Sequence, residues 1–167
     1  MAYANDGNIG VNLEAVPTSS NEFTLGMMVQ GNNGSNWMWV LAPTALTTGD
    51  FVGVNAATYT VSAMTNAVAV GAGSMVVGWA QTSFPASTYG WIALKGAGIK
   101  VRVTAGTAIS PGLPLYTSDA AGVLTGTTNS VSGFQVFGVT LYTTASGATA
   151  TASSAGVSEF PTIRRPA

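Results

Sequence analysis

Gly90-Trp-Ile-Ala-Leu-Lys-Gly-Ala-Gly-Ile-Lys-Val-Arg-Val-Thr104 is the stretch on which the fold assignment rests. In its second half Ile99, Val101 and Val103 alternate with Lys100, Arg102 and Thr104, the period of two that gives a strand one dry face and one wet face. Its first half is a short apolar run, and the Gly96-Ala97-Gly98 between them has the length and the glycines of a hairpin loop. The expectation is a hairpin of two strands, Gly90 to Lys95 and Ile99 to Thr104. It carries three of the five cations in the chain.

Outward from this stretch the same grammar repeats. Phe23 to Gln30, Trp37 to Leu41, Phe51 to Val54, Thr58 to Val61, Met75 to Gln81, Leu115 to Thr117, Gly122 to Leu124 and Gln135 to Tyr142 are short runs rich in Val, Thr and aromatics, bounded by Gly, Asn, Ser or Pro. No window of helical length shows a 3.6-residue period. The pattern predicts an all-β chain, a compact β-barrel or β-sandwich.

A weak internal repeat divides this chain. Shifted by 63 residues, Val40, Ala42, Thr44, Ala45 and Gly49 fall on Val103, Ala105, Thr107, Ala108 and Gly112. At a shift of 60, Met75-Val-Val-Gly-Trp-Ala resembles Gln135-Val-Phe-Gly-Val-Thr. Two similar β-units, 36–83 and 99–143, are expected to share a β-core over 36–143. Residues 1–35 read as an N-terminal arm. Residues 144–167, Ala/Ser/Thr/Gly-rich before Glu159-Phe-Pro-Thr-Ile-Arg-Arg-Pro-Ala167, read as a C-terminal tail.

Composition narrows the function classes. Of 167 residues 47% are hydrophobic but only 7% are charged, against about 25% in ordinary soluble proteins. Thr and Ser, about a fifth of the chain, must supply the wet surface with Asn, Gln and Gly. A net charge of -1 gives little self-repulsion, as suits a component that associates. Lys95, Lys100, Arg102, Arg164 and Arg165 are too few cations for a nucleic-acid binder. The absence of cysteine leaves neither disulfides nor thiolate sites. The start lacks the basic and apolar regions of a signal peptide, and Ala67 to Ala80 is too short and Gly-interrupted to span a bilayer, so no membrane partner is expected.

The residues offer no recognisable reaction chemistry. Histidine is absent, which removes Ser-His-Asp and Cys-His arrangements. Asp6, Glu14, Glu22, Asp50, Asp119 and Glu159 are widely scattered. Gly71-Ala-Gly73 and Gly96-Ala-Gly98 begin like a dinucleotide fingerprint but have Val76 and Val101 where the third glycine belongs. Asn5-Asp6-Gly7-Asn8 reads as a turn, because the run of acidic calcium ligands is missing. No catalytic, cofactor or metal residue is therefore expected, and the chain is read as non-enzymatic.

Candidate contact residues are few. Trp37 and Trp39 share one strand face with Met38 and Val40 on the other, so this strand expects apolar cover on both sides, whether as core, subunit interface or sugar platform. Trp79 and Trp91 read as core. Lys95, Lys100 and Arg102 form a basic face that could be solvated or could dock on an acidic partner. Arg164 and Arg165 stand in the tail as a tether of the same kind.

The stretch from about Tyr89 to Tyr142 resembles the capsid cement, or decoration, proteins of tailed phages. The resemblance lies in Gly90-Trp-Ile-Ala-Leu-Lys-Gly96, Ile99-Lys-Val-Arg-Val, Thr107-Ala-Ile-Ser-Pro-Gly-Leu-Pro-Leu-Tyr116, Ala121-Gly-Val-Leu124 and Phe134-Gln-Val-Phe-Gly-Val-Thr-Leu141. It covers about a third of the chain, and members of that family are commonly shorter, with more acidic residues in the turn that survives here as Gly49-Asp50. The resemblance implies a β-barrel-like virion protein, made in the host cytoplasm, that joins the outer surface of the shell as a homotrimer. Its partner would be the major capsid protein, with terminal arms gripping the lattice and no cofactor. The alternative is a receptor- or carbohydrate-binding β-module of a tail or head fibre, which requires exposed Trp platforms.

Overall fold

The computed structural model describes residues 3–5, 10–31, 33–71, 76–104, 109–126, 133–145 and 151–164, of which 3–5, 10, 70–71 and 151–159 are described by their backbone. The described chain is almost entirely β. Its strands are β1 (Tyr3–Asn5), β2 (Gly10–Asn12), β3 (Met28–Gln30), β4 (Asn36–Ala42), β5 (Phe51–Val54), β6 (Val61–Ala63), β7 (Val76–Ala80), β8 (Thr88–Thr104), β9 (Leu115–Thr117), β10 (Leu124–Thr125), β11 (Gln135–Leu141) and β12 (Thr151–Arg164). One short helix, α1 (Asn66–Gly71), lies between β6 and β7. β1 and β2 pair apart from the rest; the others form one mixed, ten-stranded sheet.

The expected hairpin is a single strand. β8 runs for 17 residues, and Gly96-Ala97-Gly98 lies inside it. A hairpin would need 90–95 to pair with 99–104, but every edge is already taken. Tyr89, Gly90, Trp91, Ile92 and Ala93 pair with β4, and Ile92 and Ala93 with β7. Gly96 to Val103 pair with β12, and Val103 and Thr104 with β10. The glycines make a bulge instead: the register against β12 skips Gly98, whose φ is +74°. A second register slip lies at Leu94, skipped between Lys95 and Ala93 against β4. Ile99, Val101 and Val103 share an apolar cluster with Trp91 and Ala93, and Ile92 and Leu94 belong to the other cluster.

The sheet as a whole does not close into a barrel. Each half of it, however, bends round five strands. In the first half β4 pairs with the start of β8, that with β7, β7 with β5 and β5 with β6, all antiparallel. Contact with β4 is regained through one parallel bridge, Leu41 to Thr60. In the second half the end of β8 pairs with β12, β12 with β11, β11 with β9 and β9 with β10, again antiparallel. The return to β8 is again parallel, Leu124 to Val103. Connectivity, strand direction and the parallel return are the same twice over. The loop bridges Leu46–Phe84 and Ile109–Ala145 also correspond.

The repeat is thus structural, with different bounds from those expected. The units 36–83 and 99–143 each lack their fifth strand, and including it gives 36–95 and 96–164. The segment expected as a C-terminal tail is β12, paired on one edge with β8 and on the other with β11. The expected N-terminal arm does not stand off the core either. Leu13 is buried, Thr18 bridges Tyr89, and β3 pairs along β4.

Two apolar clusters follow from this layout. Met38, Val40, Val52, Val54, Val61, Ala80, Ile92 and Leu94 come from all five strands of the first unit and fill its inside, closed by Leu46 and Phe84. The other cluster joins Leu13, Trp37, Trp39 and Trp91 to Phe51 and Trp79, and continues into Val101, Val103, Ile109, Leu115, Leu124, Val136 and Leu141 of the second unit. β4 is therefore covered on both faces, as its flanking Trp and Val residues require.

Candidate functional site: the junction between the units and its repeated turn

The two units meet through polar contacts made by residues far apart in sequence. Thr47 to Asp50 form a tight turn in which the Asp50 N–H donates to Thr47 O at 3.0 Å and Gly49 adopts φ +88°. Gly49 O accepts from the Arg102 N–H at 2.8 Å, and the Arg102 guanidinium pairs with the Asp50 carboxylate. The other Asp50 oxygen accepts from the Thr47 N–H at 2.7 Å, so the buried carboxylate is held on both sides. A side chain at Gly49 would meet Arg102, and one at Gly122 would meet Asp50. Glycine here allows the approach of the two backbones as much as the turn.

Beside this pair Gln81 clasps the Lys100 backbone, accepting from its N–H at 2.8 Å and donating to its carbonyl at 3.1 Å. On the far side Asn66 donates to Asp119 at 2.8 Å and accepts from Thr117 at 2.6 Å. Asn66, Thr104, Thr117, Ser118, Asp119, Ala120 and Thr125 line a cleft of about 460 Å³. Its buried polar groups, Asn66 and Thr117, are engaged with each other. Among the described residues no three of His, Cys, Asp or Glu come together as a metal site, and no helix is long and apolar enough to cross a membrane.

The expected contact residues are dispersed by this arrangement. Trp37 and Trp39 are core, each 3% exposed, and so are not available as lattice or subunit contacts. The Trp37 indole donates to Ser35 at 2.7 Å and that of Trp39 to Asn21 at 3.0 Å. Trp39 lies edge-on to Phe23 and Trp91, with ring centroids 5.0 and 5.1 Å away. Arg102 points from the expected face but is committed to Asp50. Lys95 is half-exposed and Lys100 exposed. Arg164 is remote from these three, exposed at the end of β12 with its guanidinium 5.6 Å from the Phe137 ring centre. Arg165 lies outside the described residues.

Among the described residues the turn at the junction occurs four times, one copy being Ala120 to Val123, where the Val123 N–H donates to Ala120 O at 3.2 Å and Gly122 has φ +72°. Thr24 to Met27 and Ser110 to Leu113 repeat it, with the Met27 N–H donating to Thr24 O at 3.0 Å and the Leu113 N–H to Ser110 O at 3.3 Å. Gly26 and Gly112 have φ of +81° and +82°. The first two turns each dock on a backbone N–H of the next unit, but through different carbonyls, that of Gly49 in one and that of Met27, the residue after Gly26, in the other. Trp39 is the counterpart of Arg102, and its N–H donates to Met27 O at 2.9 Å. Tyr59, the counterpart of Gly122, lies against the turn glycine Gly26, whereas Gly122 lies against Asp50, the residue after the turn glycine Gly49. The N-terminal segment thus covers the first unit where the first unit covers the second. Asp50, Gln81 and the turn series were not singled out as sites from the sequence; the signal available was the alignment of Gly49 with Gly112. No family model matches the chain, and no curated protein is significantly similar to it.

Proposed function

We propose that this chain is a structural virion protein of a tailed phage, a decoration or cement protein that binds the outer surface of the major capsid lattice and stabilises the shell. It acts by binding alone, as a homotrimer, with no cofactor, nucleic acid or membrane. The observation that carries this reading is a twice-repeated β-unit in a chain with so few charges, one of which, Arg102, is spent on an internal ion pair. Such a chain offers broad, neutral, rigid surface in duplicate, suited to many weak contacts repeated over a symmetric lattice. The resemblance over 89–142 points the same way, and that stretch spans β8 to β11.

The receptor- or carbohydrate-binding alternative calls for exposed Trp, and burial of all four tryptophans counts against it. The test is co-sedimentation with purified, expanded, empty capsids, with calorimetry of shells with and without the protein. Saturable occupancy and a raised shell denaturation temperature are expected. No binding to shells, together with binding of the isolated protein on a glycan array, overturns the reading.

A further inference from the structure

The connection between β3 and β4 carries a reactive group that lattice binding leaves unused. Asn33-Gly34 is the single Asn-Gly pair in the chain, and both residues are exposed. The Asn33 side-chain carbonyl accepts two hydrogen bonds, from the Ser35 N–H at 3.2 Å and from the Ser35 hydroxyl at 2.5 Å. That hydroxyl in turn accepts from the Trp37 indole N–H at 2.7 Å. Ser35 is 1% exposed and Trp37 3%, so the donors are fixed in the core while the amide they hold reaches into water. Ser35 is also boxed in. A side chain on Gly31 would meet its Oγ, and one on Gly96, in the β8 bulge, would meet its Cβ. Gly34 itself brings no side chain, and nothing lies within 4 Å of where one would begin.

We infer that Asn33 is a self-modification site, converted through a cyclic imide to aspartate or isoaspartate, and that Ser35 promotes the step. The Gly34 nitrogen, having given its proton to solvent base, attacks Asn33 Cγ. An N–C bond forms and negative charge gathers on Oδ1. Collapse of this intermediate breaks the Cγ–Nδ2 bond, and the nitrogen leaves as ammonia with a proton from water. Water then opens the five-membered imide at either carbonyl. The charge on Oδ1 develops where two donors already point, which is the arrangement of an oxyanion hole, and Trp37 positions the hydroxyl that is one of them. Opposing the reaction is the Gly34 N–H bond to Gly31 O at 3.0 Å, which must open first. One backbone hydrogen bond holds by roughly tenfold, whereas a preorganised oxyanion donor contributes about 10²- to 10³-fold, so the donors prevail. Either product adds a negative charge to a chain whose net charge is -1. Isoaspartate also inserts an extra backbone atom into the turn that Gly31 closes by donating to Ser35 O at 2.7 Å, where the N-terminal segment joins β4.

The test incubates the full folded chain in mildly alkaline buffer and follows every asparagine by peptide mass mapping, with ion exchange to count acidic species. Asn33 is expected to convert before any other, including the exposed Asn55, which precedes Ala56. Asn33→Gln, which would have to close a six-membered ring, is expected to abolish the early acidic species. Ser35→Ala is expected to slow Asn33 by about tenfold or more. A merely structural Ser35 predicts the reverse, because a loosened turn frees the Gly34 nitrogen. Trp37→Phe keeps the ring and removes the donor behind the hydroxyl, and it is expected to slow the reaction in the same direction should Ser35→Ala fail to fold by circular dichroism. An Asn33 that outlasts Asn55 in the folded chain overturns the inference, as does a rate that these two substitutions leave unchanged or raise.

Discussion

The two β-units share a topology but are stabilised differently. All four tryptophans lie in the first, on strands covered inside by Met38, Val40 and their neighbours and outside by residues 11–31. The second has mainly aliphatic residues at its described core positions, with Tyr116 buried and Phe134 packed against them, and where the first has Trp37 and Trp39 it has Lys100 and Arg102. One backbone plan therefore tolerates either an aromatic or a charged outer face, and what sits on that face decides which. The N-terminal segment brings Phe23 and Leu25 to the Trp pair, while the first unit brings Asp50 and Gln81 to the basic pair.

The largest test of this contrast is Trp39→Ala, which removes the centre of the Phe23–Trp39–Trp91 cluster. A loss of about 3–5 kcal/mol is expected, read as a fall in urea midpoint with both units unfolding together. Second comes the repeated turn. Gly49→Ala places a methyl 2.9 Å from Arg102 Cγ and 3.1 Å from its backbone nitrogen in a left-handed conformation. It is expected to cost about 2–4 kcal/mol. Gly112→Ala, with the same φ and open space, is expected to cost about 1 kcal/mol, and equal losses at the two sites would refute the difference in docking. Third, Asp50→Ala strands Arg102 at the junction. Because Arg102 remains 23% exposed, the expected loss is about 1–3 kcal/mol, below that of a fully buried pair. Asp50→Leu with Arg102→Met, which makes the second junction apolar like the first, is expected to recover most of it by thermal melting.

Sequence periodicity revealed what was local. The alternation over Ile99 to Thr104 set that strand's faces correctly, and the flanking of Trp37 and Trp39 by Met38 and Val40 foretold cover on both sides of β4. The Gly49–Gly112 correspondence exposed the repeat. It failed wherever partners 50 or more residues away decide the outcome. Gly96-Ala97-Gly98 fits a hairpin loop or a bulge equally well, and only the strands occupying both edges of β8 distinguish them. The Ala/Ser/Thr-rich segment before Glu159 has little side chain to bury and so reads as a linker, yet its backbone bonds on both edges, a contribution that leaves no mark in hydropathy. The Asp50–Arg102 pair, 52 residues apart, had no local signal at all.

The long strand β8 also sets an order of events in synthesis. The first unit has all five of its strands once Lys95 has left the ribosome, and it can fold at once on local partners. At that point 96–104 still lacks its main partner, 151–157. At about 5–20 residues per second that wait lasts a few seconds. During it the first unit serves as the template on which the second is built, and the alternation of Lys100 and Arg102 with Ile99, Val101 and Val103 keeps that waiting edge from pairing with its like on a neighbouring chain.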